Sequence, residues 1–323
     1  MFNNRFMSSS ERLILVRDLR SYDDTRQQHA AAASQGREVR VARGAYIGEP
    51  HWAELAARDR YLLTIRAVAE SRGSRPVLSH WSAAAIHGLP MIGPWPGRVH
   101  MTQDVGTGTR SRGVVVRHSL PLSESDVVEI DGLLVTSLVR TVIDLAVASA
   151  APSALAAMDA ALHVDRFDRQ PTRLTPAELL DSWEARLPFR GHARARDLID
   201  FSVPNADSPI ESASRWNMRV IGCPIPILQQ SHFDAQGFIA DTDFSWPEFD
   251  TVGESDGDQK YLDPAFRNGR SADRVVLDEK IREDRLRALP KIVVRWRWAV
   301  ALSPRLLRSR ISSAGIPMRT ERR

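Results

Sequence analysis

The chain has 323 residues, room for two or three domains at roughly 100–200 residues each. A hydrophobic share of 43% excludes wholesale disorder, and a single cysteine, Cys223, excludes a disulfide framework and a cysteine-based zinc site. Lys+Arg number 44 against 40 Asp+Glu, yet lysine occurs only at Lys260, Lys280 and Lys291. Base composition explains an arginine excess of this kind, so the placement of charge has to indicate partners. The first nineteen residues carry a short apolar patch followed by charges, which predicts no secretory leader. The longest apolar stretch, 132–164, is interrupted by Arg140, Asp144 and Asp159, so no bilayer-spanning helix is expected. These features predict a soluble cytoplasmic protein without membrane contact.

In chain order, Ser8 to Ser10 can cap a helix over 13–19, and a second helix fits 24–35, closed by Gly36. EVRVARGAYIG (38–48) predicts two strands around Arg43-Gly44. Helix, small-faced helix and basic hairpin is the order of a winged helix-turn-helix. One long helix is predicted over 52–72, and a Ser-capped helix in 78–90 that stops at Gly88 and Pro90. Strands follow over 98–136, ending in an Asp131-Gly132 hairpin. Residues 136–164 give two helices broken near Pro152, and two more run through Trp183 and Ile199. The turn-rich stretch 202–209 is the expected linker. From Ile210 the order becomes helix (210–221), strand (227–233), strand (238–246), strand (251–256), helix (276–289), strand (292–298). That is αβββαβ, followed by a basic tail from Ser303. The fold class expected is mixed α+β, divided into a winged helix-turn-helix (1–50), a middle α+β region (51–202) and a C-terminal αβββαβ domain (203–323).

Candidate chemistry lies in the last domain. Alternation along FIADTDFSW puts Asp241 and Asp243 on one strand face and Phe238, Ala240, Phe244 and Trp246 on the core face. In TVGESDG, Glu254 and Asp256 likewise share a face. Adjacent acidic faces repel, and a divalent cation held by carboxylate oxygens relieves the repulsion. Glu211, near the start of the 210–221 helix, is a further acidic candidate, and Lys260 or Lys280 a cationic partner. The alternative is a solvated acidic face with Asp256-Gly257 as a simple turn.

PIES (209–212), IADTDFSWPE (239–248), GESDGDQKY (253–261), EKIREDRLRAL (279–289) and VVRWRW (293–298) stand in an order that resembles the PD-(D/E)xK nuclease superfamily, in the branch related to very-short-patch-repair endonucleases. The resemblance implies that Asp243 and Glu254 hold Mg²⁺, replaceable by Mn²⁺, with Glu211 assisting, and that the metal activates water for phosphodiester hydrolysis. One departure stands out. The family's E-x-K lysine belongs two residues after Glu254, where this chain has Asp256. Either the amine has moved to Lys260 or Lys280, or catalysis is lost.

RVARGAYIG (40–48), LSHWSAAAIHGLP (78–90) and IDGLLVTSLVRTVIDLA (130–146) resemble the AbiEi-type antitoxins of type IV toxin–antitoxin systems. That resemblance implies a winged helix-turn-helix repressing its own operon and a cognate toxin as partner. Arg37, Arg40 and Arg43 would touch DNA phosphates, while helix 24–35 would present Arg26, Gln27, Gln28 and His29 to the major groove. His80, His87, His100 and His118 lack metal-ligand spacing and are expected at the surface or as caps. Two functions follow: a DNA-binding protein with a Mg²⁺-dependent nuclease domain, or an antitoxin-like repressor whose nuclease-like domain is inert.

Overall fold

The computed structural model describes residues 13–319, apart from 20–21, 73, 104–110, 112, 167–169, 257–281 and 283. The fold is mixed α+β, with three sheets among the described residues, and it separates into two compact units. Unit one holds residues 1–149 and 176–196; unit two holds 150–175 and 197–323. No helix among the described residues is long and apolar enough to cross a membrane.

Unit one opens on β1 (Ile14–Leu15) and a 3-10 turn (Val16–Asp18), in place of the expected helix. Two residues suffice for a strand here because Ile14 and Leu15 register against Tyr46 and Ala45, and the Val16 amide donates to the Gly44 carbonyl at 2.9 Å. Next come α1 (Tyr22–Ser34), β2 (Glu38–Ala42) and β3 (Ala45–Gly48), the hairpin turning where the sequence predicts. The sheet order is β1-β3-β2. The single helix expected over 52–72 is two, α2 (Glu49–Glu54) and α3 (Ala57–Glu70). Leu55 and Ala56 are extended between them, and Arg60 satisfies the freed carbonyls of Trp52 and Ala53 at 2.9 and 2.8 Å.

The hairpin has no core of its own. Val41, Ala45 and Ile47 belong to one buried cluster with Leu63 and Ile65 of α3 and with Met101 and Val135 of a second sheet, so residue 50 marks no break in packing. That sheet runs β6-β5-β4-β8-β7, built from β4 (Val77–Leu78), β5 (Val99–Gln103), β6 (Val115–Ser119), β7 (Val127–Ile130) and β8 (Leu133–Thr136). Asp131 (φ 49°) and Gly132 (φ 77°) form the expected tight hairpin, both in the left-handed region such turns require. Helix α4 (His80–His87) ends at Gly88, left-handed at φ 76°. Helices α5 (Leu138–Ala148) and α7 (Pro176–Glu184) complete the unit, and α8 (His192–Phe201) begins in it.

Helix α6 (Ala151–Leu162) belongs to unit two rather than to the middle region expected to end at 202. The cause is α9 (Pro209–Val220), whose Arg215 pairs with the buried Asp159 of α6 at 2.9 Å. The four-stranded sheet of this unit runs β12-β11-β10-β9, from β9 (Ile227–Asp234), β10 (Gly237–Trp246), β11 (Thr251–Asp256) and β12 (Ile292–Arg297). Its last strand is parallel to β11 and the others are antiparallel. Phe244, Trp246 and Trp296 stack in its core, and Gly253 has no side chain because a Cβ there would lie 2.7 Å from the Trp296 ring. Phe238 is 53% exposed, not core, because the register shifts between Phe238 and Ala240 and brings Ile239 inward. Beyond β12 lie α10 (Trp298–Ala301) and α11 (Pro304–Ser312), which buries Leu307 and Ile311.

Candidate functional site

Three of the predicted acids, Glu211, Asp243 and Glu254, lie in unit two. Glu211 sits in the first turn of α9 and is almost fully buried. Its carboxyl accepts from the Ser208 hydroxyl at 2.6 Å, the Asp207 amide at 3.0 Å and Gln229 Nε2 at 2.9 Å. Asp243, on β10, accepts from the amide and hydroxyl of Ser255 on β11 at 2.7 and 2.8 Å. Glu254, on β11, faces Arg295 of β12 at 3.0 Å and Arg282 at 3.3 Å. Parallel register sets the first contact, because Glu254 pairs directly with Arg295.

Asp243 acts electrostatically on both glutamates. Burial, and then the Asp243 charge, push Glu211 up to about 8. Glu254 is also raised by burial and by Asp243, against the opposing pull of Arg282 and Arg295. Asp241 leaves the group to accept from Arg166 at 2.9 Å and Ser231 at 2.5 Å. Asp256 is half-buried at the end of β11, in register with Arg297. Lys260 and Lys280 lie outside the described residues.

As arranged, these acids do not fit a divalent cation. Both Glu254 oxygens face guanidinium groups, which would have to withdraw before a metal could share them. The Asp243 oxygen nearest β11 already accepts two hydrogen bonds. Among the described residues no group of three His, Cys, Asp or Glu side chains has metal-holding geometry. Sequence reasoning missed Arg282 and Arg295 as partners of Glu254. The signal for the second lies in VVRWRW, whose arginines alternate toward the face on which Glu254 stands.

In unit one, Arg26, Gln27 and Gln28 are exposed on α1, and Arg37, Arg40 and Arg43 are exposed along the hairpin. His29 is not available to a ligand. Its Nδ1 pairs with Glu38 at 2.8 Å and its ring stacks on Tyr46 at 5.5 Å, fastening α1 to the hairpin. Arg37 donates to the Gln35 side chain at 2.6 Å, an exposed contact that competes little with a phosphate.

Three of the four histidines expected at the surface or as caps form a stack, while His87, at the end of α4, donates to the Thr136 carbonyl at 2.8 Å. His80, buried and at φ 50°, lies face to face with His118 at 3.6 Å, and His118 meets His100 at 5.2 Å. Burial and mutual repulsion hold His100 down to about 4, and burial does the same for His118, so both are neutral near pH 7. A buried ion network stands in the same unit: Arg140 pairs with Asp126 at 3.1 Å and Asp144 at 2.9 Å, and Arg186 also reaches Asp126. His80, Arg140, Asp126 and Asp144 all border one cavity of about 520 Å³. Three separate elements supply the stack, so no local spacing could reveal it.

The region holding this stack is the one that matches a known family. Residues 77–201 match the AbiEi antitoxin C-terminal domain. The match runs from β4 into α8, and covers the histidine stack and the Arg140 network. It includes neither the basic hairpin nor Glu211, Asp243 and Glu254. Two proteins from strains of Mycobacterium tuberculosis, both described only as uncharacterized, are each 29% identical to this chain over 243 residues. The alignments cover 75% of this chain and 82% of each relative.

Proposed function

We propose that this protein is an antitoxin-like DNA-binding repressor of a type IV toxin–antitoxin system, and that its C-terminal unit, although nuclease-like, does not hydrolyse DNA. The AbiEi match over residues 77–201 carries the reading. Helix α1, with Arg26, Gln27 and Gln28 exposed, leads into the basic β2-β3 hairpin and supports it, although β1 and a 3-10 turn stand where the first helix of a winged helix-turn-helix is expected. On this reading Arg26, Gln27 and Gln28 read base edges, and Arg37, Arg40 and Arg43 grip phosphates. A cognate toxin is the second partner that this family implies. Helix α9 followed by the β12-β11-β10-β9 sheet, with β12 parallel to β11, and the acids Glu211, Asp243 and Glu254 support a PD-(D/E)xK-like ancestry. The arginine clamp on Glu254 supports its inactivity.

The test is fluorescence anisotropy on a duplex taken from upstream of the protein's own gene. Replacing Arg37, Arg40 and Arg43 together by glutamine should weaken binding at least tenfold. It should also flatten the slope of log K against log salt by about 2 to 3, at roughly 0.9 for each phosphate no longer neutralised. Wild-type affinity and slope in the triple variant would remove the hairpin from the interface.

A second reading, Mg²⁺- or Mn²⁺-dependent hydrolysis of DNA, has one observation in its favour: the Asp243 charge is felt by both Glu211 and Glu254 in unit two. It would require the amine of Lys260 or Lys280 to stand in for the lysine missing at Asp256, and the arginines to release Glu254. Metal-dependent nicking of plasmid that disappears in both Asp243→Ala and Glu254→Ala would establish it.

A further inference from the structure

Four arginines from four separate stretches of unit one line a single cleft of about 440 Å³. Arg17 comes from the turn after β1, Arg26 from α1, Arg43 from the hairpin turn and Arg72 from the segment after α3. No carboxylate is among the described lining residues. Arg17 approaches Asp18 at 3.3 Å, but both side chains are about half exposed or more, where such a pair contributes little. The acid at the end of α3, Glu70, pairs with Arg66 at 2.8 Å. Arg72 is half-buried, and both burial and the Arg117 charge disfavour its cationic form.

Converging cations repel, and a fold that keeps four of them around one opening is stabilised by an anion placed there. Guanidinium forks match the oxygens of a phosphate two at a time, which makes phosphate the fitting class of anion. At the mouth, Gly44 is left-handed at φ 73°, and an added Cβ would meet nothing within 4 Å, so the tip of the hairpin leaves room for a ligand.

We infer that this cleft is a phosphate-binding site in which Arg17 and Arg72, from outside the hairpin and helix, act with Arg26 and Arg43. The phosphate is either one in a DNA backbone lying against the hairpin or a free phosphate anion. The inference rests on the DNA-binding reading only for the first of these sources.

Two probes separate the sources. With a 20-base-pair duplex of unrelated sequence, Arg17→Gln and Arg72→Gln should each lower affinity about three- to tenfold at low salt. Each should also reduce the log K against log salt slope by about 0.9, while Arg72→Lys keeps most of the slope. With inorganic pyrophosphate alone, the melting temperature of the wild type should rise with concentration, and Arg72→Gln should abolish the rise. A pyrophosphate effect that depends on Arg72 in a protein that binds no duplex would keep the cleft and overturn only the DNA reading. Loss of duplex binding in the variants without a pyrophosphate effect would assign the cleft to DNA phosphate. Wild-type affinity and slope in both glutamine variants, together with no pyrophosphate effect, would overturn the cleft and leave the DNA reading to the hairpin.

Discussion

Replacing Arg215 by leucine is expected to destabilise unit two by about 3–5 kcal/mol, the usual cost of removing one partner of a buried ion pair. Asp159 is 1% exposed, and it accepts from Arg215 at 2.9 Å, the Ser212 hydroxyl at 2.8 Å and the Val203 amide at 2.8 Å. Without the guanidinium two neutral hydrogen bonds remain for a carboxylate inside the protein. Arg215 also donates to the Phe201 carbonyl at 2.7 Å and lies over the Phe201 ring at 4.8 Å, so the replacement loosens the end of α8 as well. The pH dependence has a definite sign. Burial already raises Asp159 from 3.8 to about 6, so its contribution to stability falls as pH rises between those values. Loss of Arg215 raises it further and extends the fall to higher pH. Urea unfolding should therefore show a larger deficit at pH 8 than at pH 5. An equal deficit at both would mean that Asp159 is not the group left uncompensated.

Glu211→Gln should do the opposite and stabilise the protein in alkali. The wild-type carboxyl is raised from 4.5 to about 8, chiefly by burial and then by Asp243. A carboxyl raised by folding binds its proton more tightly in the native state. Stability is therefore greatest below the unfolded value and is lost as pH climbs toward 8. Glutamine removes that loss. Its amide nitrogen can face Ser208, whose hydroxyl turns from donor to acceptor, while its oxygen keeps the Asp207 amide and Gln229. A gain of roughly 1–3 kcal/mol at pH 8, on the scale of about 1.4 kcal/mol per pKa unit, should shrink to nearly nothing at pH 5. Thermal melts across that range decide the matter. A variant less stable than wild type at pH 8 would mean that the ionised carboxylate is held by charge, for instance by a bound cation, and that its polar neighbours are not its main support.

Local chemistry makes part of this molecule readable. The hairpin around Arg43-Gly44, the Asp131-Gly132 turn and the shared faces of Asp243 and Glu254 each depend on residues within a few positions of one another. The features that escape depend on distant partners. Leu15 belongs to a helically spaced stripe with Leu19 but is held as strand by pairing with Ala45. Asp159 interrupts an apolar helix for the sake of Arg215, fifty-six positions away. Phe238 loses its expected place to a register shift set by pairing with β9. The Arg295 contact with Glu254 depends on the parallel register of β11 and β12, which pairs residues forty-one positions apart. Aspartate at position 256, where the nuclease resemblance implies lysine, is plain in the sequence; the Arg282 contact with Glu254 is not.

The most direct test of repression without cleavage is to incubate the protein with end-labelled duplex from upstream of its own gene, in Mg²⁺ or Mn²⁺, and to run each sample on native and denaturing gels. An inert, DNA-binding repressor gives a retarded complex whose DNA strands stay full length. No retardation at low salt, or shortened strands that disappear with Asp243→Ala, would contradict it.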